Sequence, residues 1–326
     1  MFIALGLFSG GLDSILAARL LQEQQQLRVE AVTFVTPFFG PERARAGAAQ
    51  LGIALHEIDI TDMHFAMLQD PPHGYGKNMN PCIDCHAMMF REAHKLLARM
   101  GTAGFLFSGE VLGERPMSQN RQSLETVARA SGCAELILRP LSAKLLDPTK
   151  PESEGMVQRD MLLDIQGRSR KPQLALAKKW NIRQFPNPGG GCLLTDPPFS
   201  RRLRDLLDHK KNITRADLDL LSIGRHMRVR PDLKIIAGRD EKDNQRIMSL
   251  ACDTDALLSL ADVPGPTVIL PGDATDEDLL LGACICVSFS SARDKGETNV
   301  FLHRRGISTT LKASALLREQ IEAWLL

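Results

Sequence analysis

Through the first half of the chain, short apolar runs alternate with longer amphipathic ones. Residues 2–8, Phe2-Ile3-Ala4-Leu5-Gly6-Leu7-Phe8, are apolar and break into Ser9-Gly10-Gly11, after which Leu12, Leu16 and Leu20 recur at i, i+4 spacing. This is the pattern of a strand, a tight turn and a helix. Residues 29–35 predict a second strand ending at Thr36-Pro37, residues 41–51 an Ala- and Arg-rich helix, and residues 53–60 a third strand. Residues 64–80 read as a loop around Pro71-Pro72-His73-Gly74-Tyr75-Gly76, and residues 87–100 as a helix. A strand at 104–107 runs into Ser108-Gly109-Glu110, another is expected at 135–141, and a short basic helix at 171–180. Strand and helix alternating at this spacing predict βαβ units, right-handed crossovers and a mostly parallel sheet with ligands beyond the strands' carboxyl ends.

The Pro- and Gly-rich stretch Phe185-Pro186-Asn187-Pro188-Gly189-Gly190-Gly191-Cys192 breaks this alternation. A length of 326 residues suggests two domains, and the boundary is placed so that they span 1–195 and 196–326. In the second, residues 234–240 predict a strand and turn into a helix, residues 267–270 and 283–289 predict strands, and a final helix is expected from Leu311. The fold class expected is α/β: a Rossmann-like, doubly wound parallel sheet with a smaller α+β C-terminal domain.

Composition narrows the function little. Hydrophobic content of 44% and charged content of 24% are those of an ordinary globular chain, and a net charge of +1 gives no global polarity. The bias is local: residues 201–246 carry thirteen Lys and Arg against eight Asp and Glu. The apolar start lacks a basic region ahead of it and is interrupted by Asp13, and no run approaches a membrane span, so a cytoplasmic protein without membrane contact is expected. Seven cysteines, an odd number without secretory context, then favour thiol chemistry or metal ligation over a disulfide framework.

Ser9-Gly10-Gly11-Leu12-Asp13-Ser14 is the strongest chemical signal. Glycines at the turn let several N–H groups point at one anion, the helix N-terminus adds partial positive charge, and Ser9 and Ser14 add hydroxyl donors. The Walker pattern is excluded, because Asp13 stands where that motif has a lysine. A carboxylate beside phosphates is tolerable when it holds Mg²⁺. The hexapeptide resembles the PP-loop of the ATP pyrophosphatases, which implies an adenine nucleotide alpha hydrolase type of sheet and cleavage of ATP between its α- and β-phosphates. The end of the second strand, at Phe34, is then a candidate adenine wall, and Gly109 and Gln119 candidates to complete the nucleotide pocket.

Cys82-x-x-Cys85-His86 has the spacing of a c-type haem attachment motif, which the absence of an export signal disfavours. A closed zinc site would need a fourth ligand beside Cys82, Cys85 and His86. Cysteines at a helix start are expected to have lowered thiol pKa. Cys133, Cys252, Cys284 and Cys286 read as small buried hydrophobes, the last two sharing one face of a strand. Cys192 follows three glycines. With Cys82 and Cys85 it offers either three thiolates to a 4Fe-4S cluster with one open iron, or a Cys85/Cys192 pair carrying a persulfide and closing to a disulfide.

Together these residues resemble the PP-loop tRNA thiouridine synthetases. Ser108-Gly109-Glu110-Val111-Leu112-Gly113 with Ser118-Gln119, and Ile137-Leu138-Arg139-Pro140-Leu141, are similar to 4-thiouridine synthetases; Asn80-Pro81-x-x-x-Cys85 is similar to 2-thiouridine synthetases, whose second cysteine lies about as far on as Cys192 does. Ala237-Gly238-Arg239-Asp240-x-x-x-Asn244 resembles an NFACT-R type of RNA-binding domain. The resemblance implies ATP, Mg²⁺ at Asp13, tRNA as substrate, catalysis by Asp13, Cys85 and Cys192, and a sulfur donor: a cysteine desulfurase, a carrier protein or inorganic sulfide. Neither a THUMP nor a rhodanese domain is recognisable, so Arg201, Arg202 and Arg204 of the basic stretch are expected to grip tRNA. Rival expectations are a PP-loop amidotransferase or ligase, a small-molecule sulfur transferase and a non-catalytic RNA-binding factor.

Overall fold

The computed structural model describes residues 1–187, 191–260 and 262–326, and the chain divides into two compact units, Met1–Thr195 and Asp196–Leu326. Gly189 and Gly190, part of the glycine run expected ahead of Cys192, lie outside the described residues.

In the first unit the elements run β1 (Phe2–Leu7), α1 (Leu12–Gln22), β2 (Leu27–Val35), α2 (Glu42–Leu51), β3 (Leu55–Asp59), α3 (Thr61–Gln69), α4 (Cys82–Arg99), β4 (Gly104–Ser108), α5 (Arg121–Ser131), β5 (Ile137–Leu138), α6 (Lys150–Ser153) and α7 (Lys171–Lys179). The strands make one parallel sheet in the order β3-β2-β1-β4-β5. The pleat sorts its side chains between two cores. Ile3 and Leu5 of β1 pack with Val32, Phe34, Leu106 and the α4 and α5 residues Phe90, Ala93 and Val127. Ala4 goes to the other face with Ala31, Phe105, Phe107 and the α1 residues Ile15 and Leu16. A sheet covered on both faces needs apolar residues at every position, which is why its central strands read as continuous apolar runs.

From β1 the chain winds outward to β2 and β3, then returns to β4 on the other side. The loops leaving β1 and β4 therefore diverge from adjacent strands, opening the crevice in which doubly wound sheets take ligands. Both glycine turns singled out in the sequence stand at this crevice.

The second unit runs α8 (Pro197–His209), α9 (Arg215–Leu220), β6 (Arg225–Arg230), β7 (Leu233–Ala237), α10 (Glu241–Leu250), β8 (Ala256–Leu260), β9 (Val268–Leu270), α11 (Asp276–Ser288), β10 (Thr298–Arg304), β11 (Ile307–Ala313) and α12 (Arg318–Glu322). Its sheet is antiparallel, in the order β11-β10-β8-β9-β7-β6. Leu233, Ile235 and Ala237 of β7 face a core with α11, while Ile236 faces Ile247 of α10. The Rossmann-like sheet and the separate α+β unit are thus both present.

Four local expectations fail. Residues 283–289 are the end of helix α11, because Thr275 and Asp278 form a reciprocal capping box that starts a helix upstream. Cys284 and Cys286 therefore do not share a face; Cys286 is core and Cys284 half-buried. Residues from Leu311 belong to the β10–β11 hairpin, turned by Arg305 (φ 52°) and Gly306 (φ 76°), and only α12 is helical. The loop expected from His64 begins later, since α3 runs to Gln69. The strand expected over 135–141 is confined to β5, Ile137–Leu138.

Candidate functional site

The turn between β1 and α1 is built as an anion cradle. Gly10 has φ 70°, and a Cβ there would overlap the Arg43 carbonyl. Gly11 holds the N-cap position without a side-chain cap, so the first N–H groups of α1 stay available. Ser9 is exposed and its Oγ accepts from the Gly11 N–H at 3.3 Å. The Ser14 hydroxyl is turned inward, donating to the Gly11 carbonyl at 2.9 Å, so it fixes the loop and offers no outward donor as first read. Leu12 anchors the helix in the core and contributes its backbone only.

Gly109 docks the second loop onto this one: a Cβ at Gly109 would meet Ser14 N and the Asp13 carbonyl. The chain beyond it folds back, Gly113 N–H donating to Gln119 O at 2.7 Å and Gly167 N–H to Leu112 O at 2.8 Å. Around Asp13 this gathers Glu114, Arg115, Arg170 and Gln173. Burial pushes the Asp13 carboxyl above the usual carboxylate range, against Arg170, Gln173 and Arg115, which pull it down. Burial and the Asp13 charge push Glu114 up in turn. Asp13 Oδ1 and Gln119 Oε1 are buried without a hydrogen-bond partner. Buried polar atoms are nearly always satisfied, so such orphans mark where a ligand completes the structure. Phe34 does not line this crevice. Its ring is 4% exposed and sits in the sheet core, with no face left for an adenine.

The three cysteines come together from separate segments. Cys82 and Cys85 occupy the first turn of α4, and Cys82 Sγ accepts from Asn80 Nδ2 at 3.2 Å. Cys192 is tied to them by flanking bonds: Leu193 N–H donates to Phe38 O at 3.0 Å, and Asn78 Nδ2 to Thr195 O at 2.7 Å. Cys85 Sγ lies 3.4 Å from Nε2 of His64, whose pKa burial lowers to about 4. Cys85 is not activated in the way a helix start predicts. Burial raises Cys85 well above the usual thiol value, and the Cys192 and Cys82 charges add to this; burial likewise pushes Cys192 up to about 11. Desolvation outweighs the helix terminus here. Among the described residues, no group of three or more His, Cys, Asp or Glu is placed to hold a metal ion.

Sequence reasoning missed the junction between the thiols and the crevice at the two glycine turns. Glu110 accepts from Arg139 Nε at 2.9 Å and from Ser108 Oγ at 3.0 Å, and its Oε1 lies 2.9 Å from His86 Nδ1. Burial alone would raise its pKa, but Arg139 and His86 hold it at about 2. His86, next to Cys85, and Glu110, in the second glycine turn, were each visible in their motifs; their contact is tertiary. A second clasp, His73 Nδ1 to Asp84 Oδ1 at 2.6 Å, pins the loop ahead of α4.

In the second unit Arg201 and Arg204 are exposed on α8, whereas Arg202 is half-buried and donates to the Leu221 carbonyl at 3.1 Å. Arg202 is thus used inside the fold and is withdrawn as a phosphate contact. Its neighbours Arg228 and Lys234 are spent on Asp205, at 2.8 and 2.9 Å. No helix among the described residues is long and apolar enough to cross a membrane.

A family model for the NFACT protein RNA binding domain matches residues 224–325. Among solved structures, the chain is similar to a 4-thiouridine synthetase in complex with RNA and ATP, at 20% identity over 56% of this chain and 52% of that one, with a TM-score of 0.37. It is similar to the U34-tRNA thiolase NcsA of Methanococcus maripaludis with its 4Fe-4S cluster, at 16% identity over 68% and 69% of the two chains, TM-score 0.29. It is also similar to the C-terminal part of the fibronectin/fibrinogen-binding protein of Streptococcus suis, at 17% identity over 38% of this chain and 59% of that one, TM-score 0.28. The chain spans less than two thirds of the first and third of these. No curated protein matches the sequence.

Proposed function

We propose that the protein is a PP-loop enzyme that uses ATP to thiolate a uridine of tRNA, with Cys82, Cys85 and Cys192 as the sulfur site. One observation carries the reading: His86 Nδ1, next to Cys85, lies 2.9 Å from Oε1 of Glu110, and Glu110 follows the Gly109 that packs on the Asp13 backbone, so a single contact joins the thiol segment to the cradle. The NFACT-R match supports RNA as the partner, and the SGGLDS hexapeptide with its inward-folded Gly10 and Gly11 supports ATP.

The N–H groups at Gly11 and the start of α1, with Ser9, hold the phosphates. Asp13 fits a divalent cation, offering a buried, unpartnered carboxylate oxygen at the anion site. Mg²⁺ held there by Asp13 would neutralise phosphate charge as it develops. The uracil carbonyl oxygen attacks the α-phosphorus, the bond to the β-phosphate oxygen breaks, and pyrophosphate leaves an adenylated base. Adenylation turns a poor leaving group, the carbonyl oxygen, into AMP.

Sulfur arrives on Cys192 as a persulfide from a cysteine desulfurase or carrier protein. Its terminal sulfur bonds to the activated carbon as AMP departs. The Cys85 thiolate then attacks the Cys192 sulfur, releasing the thiolated base and leaving a Cys85–Cys192 disulfide that a dithiol reductant returns to two thiols. Burial raises the pKa of both thiols, so Cys85 gives up its proton as it attacks. Three thiols are also the donor set of a 4Fe-4S cluster with an open iron, but among the described residues they are not arranged as a metal-holding group.

The test separates the two half-reactions. Asp13→Ala should abolish tRNA-dependent pyrophosphate release. Cys192→Ala should retain it while losing thiolated nucleoside, read by mass spectrometry of the tRNA digest. Thiolation that survives Cys192→Ala removes the cysteine from the reaction; pyrophosphate release that ignores tRNA moves the substrate to a small molecule.

A further inference from the structure

Helix α7 was expected only as a short basic helix, yet it carries a buried side chain that no fold requirement explains. Gln173 is 0% exposed, and its amide is near enough to Asp13 to lower that carboxyl's pKa, yet neither its Oε1 nor its Nε2 makes a hydrogen bond of ordinary geometry. Leaving an amide desolvated and unpaired in a core costs on the order of 1–3 kcal/mol per group. An apolar residue of the same size would avoid that cost, so the position is costly unless something fills it.

Its neighbour identifies what fills it. α7 lies alongside α1, with Arg19 stacked on the Trp180 ring at 5.9 Å from its centroid. Six residues back from Arg19 is Asp13, and seven back from Trp180 is Gln173, close to two turns in each helix. The Gln173 side chain acts directly on the Asp13 carboxyl, so the helices run in the same sense with Gln173 beside Asp13, whose Oδ1 is the other buried orphan at this point. The N-termini of both helices meet there too, with Arg170 at the cap of α7.

We propose that Gln173 is a ligand of the divalent cation that accompanies ATP, its Oε1 joining Asp13 Oδ1 on the cation and its Nε2 donating to a phosphate oxygen. This rests on the ATP reading above, though not on what the ATP activates. Two hard oxygens and a phosphate are the partners Mg²⁺ takes, and the assignment gives both ends of the amide and the orphaned carboxylate oxygen a partner at once.

The full-length protein is titrated calorimetrically with α,β-methylene-ATP, which cannot be cleaved at the reacting bond, in EDTA and in saturating MgCl₂. Wild type should bind more tightly with Mg²⁺. Gln173→Ala should lose about tenfold or more of that Mg²⁺ increment while its binding in EDTA stays the same. Gln173→Glu, which keeps an oxygen at the position, should retain the increment, and circular dichroism reports whether each variant folds. An undiminished increment in Gln173→Ala overturns the assignment. If that variant does not fold, loss of the increment in a folded Gln173→Glu overturns it instead. No nucleotide binding by wild type would sink the ATP reading itself, and this proposal with it.

Discussion

A glycine pressed against another segment's backbone is among the least replaceable residues, and Gly109 is in that position over Asp13 and Ser14. Gly109→Ala has no flexible side chain to push aside, so the second loop must lift off the cradle. A displacement on the order of 1 Å at a catalytic loop costs roughly a hundredfold in rate. Adenylation should fall by about that factor while thermal melting moves little; unchanged adenylation would mean that the two loops act independently. The cradle itself was legible because its chemistry is encoded in six consecutive residues. Gln173 was not, because an unpaired buried amide is a tertiary fact, indistinguishable in sequence from a polar residue on a solvated helix face. Phe34 and Arg202 misled for the same reason. An aromatic at a strand end reads equally as a ligand wall or as core, and an arginine in a basic run reads as surface until its fork is found on the Leu221 carbonyl.

At the scale of elements, α4 carries the thiols and the strands β4 and β5 carry the second nucleotide loop, and Glu110 is the joint between them. Its folded pKa of about 2 lies below the ordinary glutamate value, so the ion pair contributes stability fully above about pH 4.5. That contribution is lost as pH falls from about 4.5 through 2. Removing the carboxylate strands Arg139, 8% exposed, as an unpaired buried charge, which costs about 3–5 kcal/mol. Glu110→Gln should lower the urea midpoint at pH 7 and flatten the fall in stability between pH 4.5 and 2; a midpoint within error of wild type would show the joint to be dispensable. Parallel strands of the first unit were readable from period alone, being short apolar runs between turn signals. In α11 the run from Leu279 to Val287 is apolar almost throughout, so it carries no period to separate helix from strand, and the deciding signal was the Thr275–Asp278 cap. The β10–β11 hairpin was hidden because Arg305 takes a left-handed turn that arginine seldom marks in sequence.

For the whole molecule, the question is which unit holds RNA and through which charges. The net charge of +1 gives no general attraction, and several of the positive side chains over residues 201–246 are held in internal ion pairs: Arg228 and Lys234 on Asp205, Arg239 on Asp243, Lys210 on Asp217. Arg201 and Arg204 are both exposed on α8, Arg204 with an interaction of its own, outside the stretch matched by the RNA-binding family model. If they meet phosphates, each releases a counterion on binding, and the slope of log affinity against log salt steepens by about 0.7–0.9 per contact. Arg201→Glu combined with Arg204→Glu should therefore weaken tRNA binding and make that slope shallower by roughly 1.5. Arg202→Ala is the internal contrast: it removes the bond to Leu221, so it should lower the stability of the second unit and leave the slope of the folded protein unchanged. Affinities measured by filter binding between low and high salt decide the matter. An unaltered slope in the double reversal would take the RNA contacts off α8 and leave it as an ordinary solvated helix face.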